Sequence, residues 1–345
     1  MERSAASNVR LATLALVVVF LAAPGLIAAE YTIKLTTLAP RDSSYHRSLL
    51  RMGQAWRTAS GGAVELIIYP GGIQGGESAM VERMRINQTQ AGLLTAVGLS
   101  GIEPAVSGLQ NMPMMFRSLD EVDHVVKEMQ AMLEKRLLAK GFLVLFWTDA
   151  GWVRFFSKQP VIHSNDLKPL KLFAWAGNAE QVDIMKSLGF NPVPLETADI
   201  FPGLQTGLIS AVPMPPSYAL AGQIYIEARH MLELNWAPLV GALVVTKRAW
   251  DRIPQPVQAQ MLSAAAQAGS EVKVAGRKEA DDAVRTMQGK WGLTVHKTTP
   301  EIEVEWRSFA EAVYPRIRGQ LVPADIFDEV RRILQDYRSA RAGTR

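Results

Sequence analysis

The sequence predicts an α/β fold of two interleaved lobes with a long helix crossing between them, on three observations. The chain has 345 residues, more than a single hydrophobic core usually serves even after an N-terminal leader is set aside. Its first hundred mature residues alternate strand, helix and strand patterns, as a βαβ unit with a parallel sheet does. Residues Val257–Met287, just after Pro254 and Pro256, contain no proline and only two glycines, with apolar positions at helical intervals. They read as one helix of roughly 45 Å at ~1.5 Å per residue, a strut longer than one lobe.

Taken in order, residues 1–29 carry Arg3 and Arg10, an apolar stretch from Leu11 to Ala23, a Pro24-Gly25 break and small residues up to Ala28-Ala29. That order is a secretory signal peptide cleaved before Glu30, so the mature protein is expected in the periplasm. Tyr31 to Thr36 alternates as a strand, and Ser43-Ser44 offers a cap for a helix with Leu49, Met52 and Trp56 at helical spacing. Ala63 to Tyr69 is a second strand ended by Pro70-Gly-Gly72. Further along, Glu77–Arg85, Leu119–Ala139, Asn178–Leu188 and Ile200–Gly207 read as helices. Ala91–Val97, Phe142–Trp147, Leu170–Phe173, Phe190–Pro194, Leu208–Val212 and Leu239–Thr246 read as strands, and the tail is helical. With no repeats and no long linker, interleaved lobes fit better than tandem domains. The expected division is 30–152 with about 243–270 in lobe 1, and 153–242 with about 271–345 in lobe 2.

Composition removes several function classes. Setting aside Arg3, Arg10 and Glu2 from 37 basic and 33 acidic residues leaves a dispersed excess of three positive charges, no footprint for nucleic acid. There is no cysteine, so an exported chain of this kind owes its stability to burial and not to disulfides. The five histidines, His46, His124, His163, His230 and His296, include no pair at metal-ligand spacing. No GxSxG or Walker loop occurs, and Gly71, Gly72, Gly75 and Gly76 are explained by a turn after a strand. No enzyme chemistry, metal or cofactor is expected. Eight Trp and fourteen Met exceed what stability demands, and some are expected to line a cavity.

Local patterns from Tyr31 to about Arg332 resemble the substrate-binding subunits of tripartite ATP-independent periplasmic (TRAP) transporters, of the dicarboxylate-receptor type. They are Ser60-Gly-Gly-Ala-Val-Glu-Leu-Ile-Ile-Tyr-Pro-Gly-Gly-Ile-Gln-Gly-Gly-Glu77, Pro113-Met-Met-Phe116 before Arg117-Ser-Leu-Asp-Glu121, Asp166-Leu-Lys-Pro-Leu-Lys171, Leu204-Gln-Thr-Gly207, and Lys247-Arg-Ala-Trp250 before Ile253-Pro254. The resemblance lies in their order and spacing over nearly the whole mature chain. It implies a type II periplasmic binding-protein fold, closing on a ligand in the cleft and presenting it to membrane permease subunits. Some branches of that family pair the receptor with a periplasmic helical-repeat partner, and this sequence shows no motif for one.

The resemblance also implies a site, and the sequence departs from it there. Phe173 falls where the family has the arginine that forks onto a substrate carboxylate, and Trp152 where many members carry a second arginine. Met214 stands nearest the position of a ligand-contacting asparagine, Thr197 takes a place commonly aromatic, and Trp236 replaces a residue that is often histidine. A phenylalanine donates no hydrogen bond, so a carboxylate buried against it loses hydration at a cost of at least several kcal/mol. Its bulk suits an apolar ligand, with roughly 1.5–3 kcal/mol for each large side chain buried. The expectation is therefore a small apolar or amphipathic ligand walled by Trp152, Phe173, Trp175, Met214, Tyr218 and Trp236. Arg154, two residues beyond Trp152 and on the same side of an extended segment, leaves a carboxylate receptor as the alternative. Glu77, at a helix start, either faces the cleft or favours the helix dipole. A ligand sensor for a signalling partner is a further alternative.

Overall fold

The computed structural model describes residues 30–343; the expected signal peptide at 1–29 lies outside the described residues. The first lobe opens with strand β1 (Tyr31–Thr37), helix α1 (Ser44–Ala59), β2 (Val64–Tyr69), α2 (Glu77–Arg85), β3 (Ala91–Thr95), the short α3 (Ala96–Ser100) and α4 (Leu119–Ala139). Strand β4 (Phe142–Ser157) leads into the second lobe, which adds β5 (Lys171–Trp175), α5 (Ala179–Ser187), β6 (Asn191–Leu195), α6 (Ile200–Gln205), β7 (Ala211–Met214) and α7 (Pro216–Ala221). Strand β8 (His230–Thr246) returns to the first lobe, followed by α8 (Lys247–Trp250), α9 (Gln255–Trp291), β9 (Thr294–Lys297), α10 (Pro300–Ile317) and α11 (Ala324–Ala342). Local chemistry accounts for the helix starts. Ser43 accepts the amide of His46, Ser118 that of Glu121, and Thr299 that of Ile302 with Pro300 in the first turn.

The nine strands among the described residues form one sheet in the order β2-β1-β3-β8-β4-β7-β5-β6, with β9 beside β8. β1 is parallel to β2 and β3 in the first lobe, and β5 to β6 and β7 in the second. The long antiparallel pair β4 and β8 joins the halves. Both run well past the apolar segments Phe142–Trp147 and Leu239–Thr246 expected to be strands. The extension is masked in sequence because Asp149, Gly151, Glu233, Asn235 and Pro238 break the apolar run, and the pairing itself shifts register between Asp149 and Trp152 and between Val153 and Phe155.

Helix α9 is the predicted strut, 37 residues long. Its first half, Met261, Ala265, Ala268 and Val272, packs in the core under α1 and β1, where Trp56 Nε1 donates to the Met261 carbonyl at 3.0 Å. Its second half, Ala283, Val284 and Met287, packs with Phe156 and Phe173 in the second lobe. The tail differs from the expected division. Ile326, Phe327, Val330 and Leu334 of α11 bury against Val122, Val125 and Leu133 of α4, and Arg338 forks onto Glu121. The apolar stripe of α11 thus joins the first lobe, although residues 271–345 were expected with the second.

Candidate ligand-binding cleft

In an open α/β sheet, ligand sites lie off the carboxyl ends of the strands, where their direction switches. Here the carboxyl ends of β1 and β3, at Thr37 and Thr95, face those of β5, β6 and β7, at Trp175, Leu195 and Met214, across the β4–β8 ribbon. The lobes meet over this cleft. The Glu196 carboxylate, just after β6, stands against Gly76 at the start of α2, and Gly177, just after β5, stands against Ser78.

Glu77 anchors the first-lobe side. Its buried carboxylate accepts the Thr95 amide, the Thr95 hydroxyl at 2.6 Å and the Gly98 amide at 2.9 Å, tying α2 to the turn between β3 and α3. Burial raises its pKa above the ordinary glutamate value despite these donors, and the nearby Glu196 charge adds to the rise. Glu77 also lines an interlobe cavity of about 30 Å³ with Tyr45, Thr95, Thr148, Asp149 and Tyr218. The Tyr45 hydroxyl donates to the Asp149 carbonyl at 2.7 Å. Burial, reinforced by the Glu77 and Glu279 charges, keeps Tyr218 protonated well above the ordinary tyrosine range. Beneath them, Arg277 of α9 pairs with buried Asp149 at 2.6 Å and with Asp123 of α4 at 2.7 Å. Burial opposes the Arg277 charge, and the two carboxylates outweigh it to raise its pKa.

The other predicted residues divide. Arg154 is paired in register with Met214 of β7, and Trp152 packs on the first-lobe core. The Arg154 side chain is only 13% exposed, its nearest carboxylate contact is Glu233 at 3.9 Å, and its Nε has no hydrogen-bond partner. Burial lowers its pKa, while the Glu233 and Asp281 charges hold it up. Buried and unpartnered as well are Thr148 Oγ1, Thr197 Oγ1 and Ser217 Oγ, on β4 and just beyond the ends of β6 and β7. Native proteins rarely leave such groups orphaned without a ligand, ion or water to meet them.

Phe173 is deep in the second-lobe core, edge-on to Trp175 with ring centroids 5.2 Å apart. Trp175 bridges that core and the first-lobe core. Trp236 stacks among Phe155, Trp306 and Phe309. Phe173 and Trp236 both line a second interlobe cavity of about 160 Å³, whose other walls include Val153, Phe155, Leu172, Phe190 and Phe309, with Gln110, Asn111 and Gln181 as its polar side chains.

Sequence reasoning missed Tyr45, Thr148, Asp149, Ser217, Glu196 and Arg277. The only local signals were polar residues interrupting the apolar run of β4 and an arginine on a long helix; neither reveals a partner more than a hundred residues away. Among the described residues, no three His, Asp or Glu side chains group to hold a metal ion, and no helix is long and apolar enough to cross a membrane.

Residues 35–320 match the family model described as bacterial extracellular solute-binding protein, family 7. The chain is 23% identical over 298 residues to the C4-dicarboxylate-binding periplasmic protein DctP of Rhodobacter capsulatus, covering 86% of this chain and 89% of that protein. It is 24% identical over 287 residues to the 2,3-diketo-L-gulonate-binding periplasmic protein YiaO of Escherichia coli, covering 81% and 83%. Among solved structures, a TRAP periplasmic solute-binding protein of Sulfurospirillum deleyianum with bound succinate superposes with a TM-score of 0.80 at 20% identity, covering 89% of this chain and 99% of that one. The sugar acid binding protein of Advenella mimigardefordensis in complex with galactonate gives 0.82 at 16% identity, covering 90% and 99%. These relatives carry acids, so the expected apolar ligand finds no support among them; nor do they name a helical-repeat partner. The chain belongs to the bacterial extracellular solute-binding proteins of family 7.

Proposed function

We propose that this receptor, exported to the periplasm through its N-terminal signal peptide, closes on a small organic acid with an apolar body and presents it to TRAP permease subunits. The observation that carries the reading is Arg154, a buried guanidinium with a free Nε and only a 3.9 Å contact to a carboxylate. An arginine held this way is poised to fork onto a carboxylate, since it binds that group bidentately and stays charged when buried. Acids bound by the relatives, a C4 dicarboxylate, a diketogulonate, succinate and galactonate, support the carboxylate. Trp152, Trp175 and Met214 support the apolar body. The division we infer assigns β1–β3 and α11 to the first lobe and β5–β7 to the second, with β4, β8 and α9 crossing.

The test is calorimetric titration with pairs matched in shape, such as phenylalkanoates against their neutral amides, beside C4 dicarboxylates and uronates. Acids should bind and amides should not. Arg154→Leu should weaken acid binding about tenfold to a hundredfold, since a hydrogen bond to a charged group contributes about 1.5–3 kcal/mol. Equal binding of acid and amide would exclude Arg154 as the anchor. It would favour the second reading, a neutral apolar ligand, for which the 160 Å³ cavity lined by Phe173, Trp236 and Phe155 speaks.

A further inference from the structure

The two lobes touch over the cleft at a place that the ligand reading does not use. A β-carbon on Gly76 would lie 2.6 Å from the Glu196 Cδ and 3.0 Å from its Oε1, inside van der Waals contact, so the Glu196 carboxylate rests on the bare α-carbon. No side chain caps the first turn of α2, whose N-cap is Gly76. An anionic group at that end is favoured by the helix dipole and opposed by the neighbouring Glu77 carboxylate, whose pKa the Glu196 charge raises. Beside it, a β-carbon on Gly177 would overlap the Ser78 hydroxyl, 3.5 Å from its Cβ, so a second bare backbone admits the opposite lobe. Two glycines, one on each lobe, thus face a polar side chain from the other lobe, and both contacts vanish when the lobes part.

We propose that Glu196 is a closure residue: its carboxylate seats on Gly76 at the start of α2 and, with Ser78 against Gly177, latches the lobes shut independently of the ligand. The latch sets how much of the free receptor is closed, and so the fraction of the binding energy spent on closure. It selects against bulk at these two positions, as close backbone approach does. It rests on the reading of the chain as a closing receptor but not on the ligand being an acid.

The chain has no cysteine, so Gln54→Cys on α1 and Lys186→Cys on α5, both exposed, place one spin label on each lobe without ambiguity. Double electron–electron resonance on the ligand-free protein should resolve a closed and an open distance. Gly76→Ala, by overlap, should lower the closed-to-open ratio about tenfold, and Glu196→Ala should also lower it. Added to Glu196→Ala, Gly76→Ala should have no further effect, because the group it collides with is gone. Glu196→Gln, which keeps the shape and removes the charge, should fall between wild type and Glu196→Ala. A ligand-free receptor without a closed population would overturn the proposal, as would a Gly76→Ala effect of equal size in both backgrounds. Because no ligand is present, failure here leaves the acid reading untouched, and failure of the titrations leaves the latch untouched.

Discussion

Removing the Glu77 carboxylate would strand three donors: the Thr95 amide, the Thr95 hydroxyl and the Gly98 amide. An unmet buried donor costs about 1–3 kcal/mol, and the hydroxyl can turn elsewhere, so Glu77→Ala should lower stability by about 2–4 kcal/mol in urea unfolding. A change below about 0.5 kcal/mol would mean that water replaces the carboxylate and that Glu77 is free for a ligand. At the same scale, Phe173 and Arg154 differ in what surrounds them. Phe173 is second-lobe core first, whereas Arg154 has the unmet polar atom. Composition alone does not distinguish a phenylalanine lining a site from one filling a core, since both bury the same apolar surface.

Helix α11 is held on α4 by an apolar stripe and by the fork of Arg338 onto Glu121. Burial alone would raise the Glu121 pKa, but the Arg338 fork and the Arg117 amide prevail and lower it. Asp123, two residues further along α4, is likewise lowered by Arg277 and Lys273 against its burial. A carboxylate with a depressed folded pKa contributes stability that is present above its unfolded value, about 4.3 for Glu and 3.9 for Asp, and lost as pH falls through the folded value. The urea midpoint should therefore fall below about pH 4. Arg338→Leu should cost about 2–3 kcal/mol at neutral pH, because it leaves Glu121 buried without its partner, and should flatten part of that acid-side slope. An unchanged slope in the variant would show that Glu121 does not report on this pair.

The whole molecule depends on β4 and β8, the strands that pass through both lobes. Gly151 interrupts β4 with a φ of +73°, and its amide donates to Asp149 Oδ1 at 3.0 Å. This left-handed residue sits where the ribbon shifts register, between the Asp149–Arg277 pair and Trp152. A β-carbon there is strained by about 1–2 kcal/mol, and Gly151→Ala should lower unfolding stability by that amount. If the strand also turns at this point during closure, the variant should shift the lobe separation seen by the paired spin labels. A variant that loses stability while keeping wild-type distances would place the motion elsewhere in the ribbon.

By itself, the sequence determined the α/β class and the strut of α9, because hydrophobic period, caps and turns are local and survive in a linear reading; the family came from the resemblance of motifs in their order and spacing. Glu77, at a helix start, was legible as a candidate because that signal is local, and Met214 through the resemblance. Tertiary structure alone decided which lobe holds α11, that Arg277 answers Asp149 from 128 residues away, and that Glu196 meets Gly76. Those contacts depend on how a twisted nine-stranded sheet brings its two halves together, and no window of sequence encodes the distance between side chains on opposite lobes.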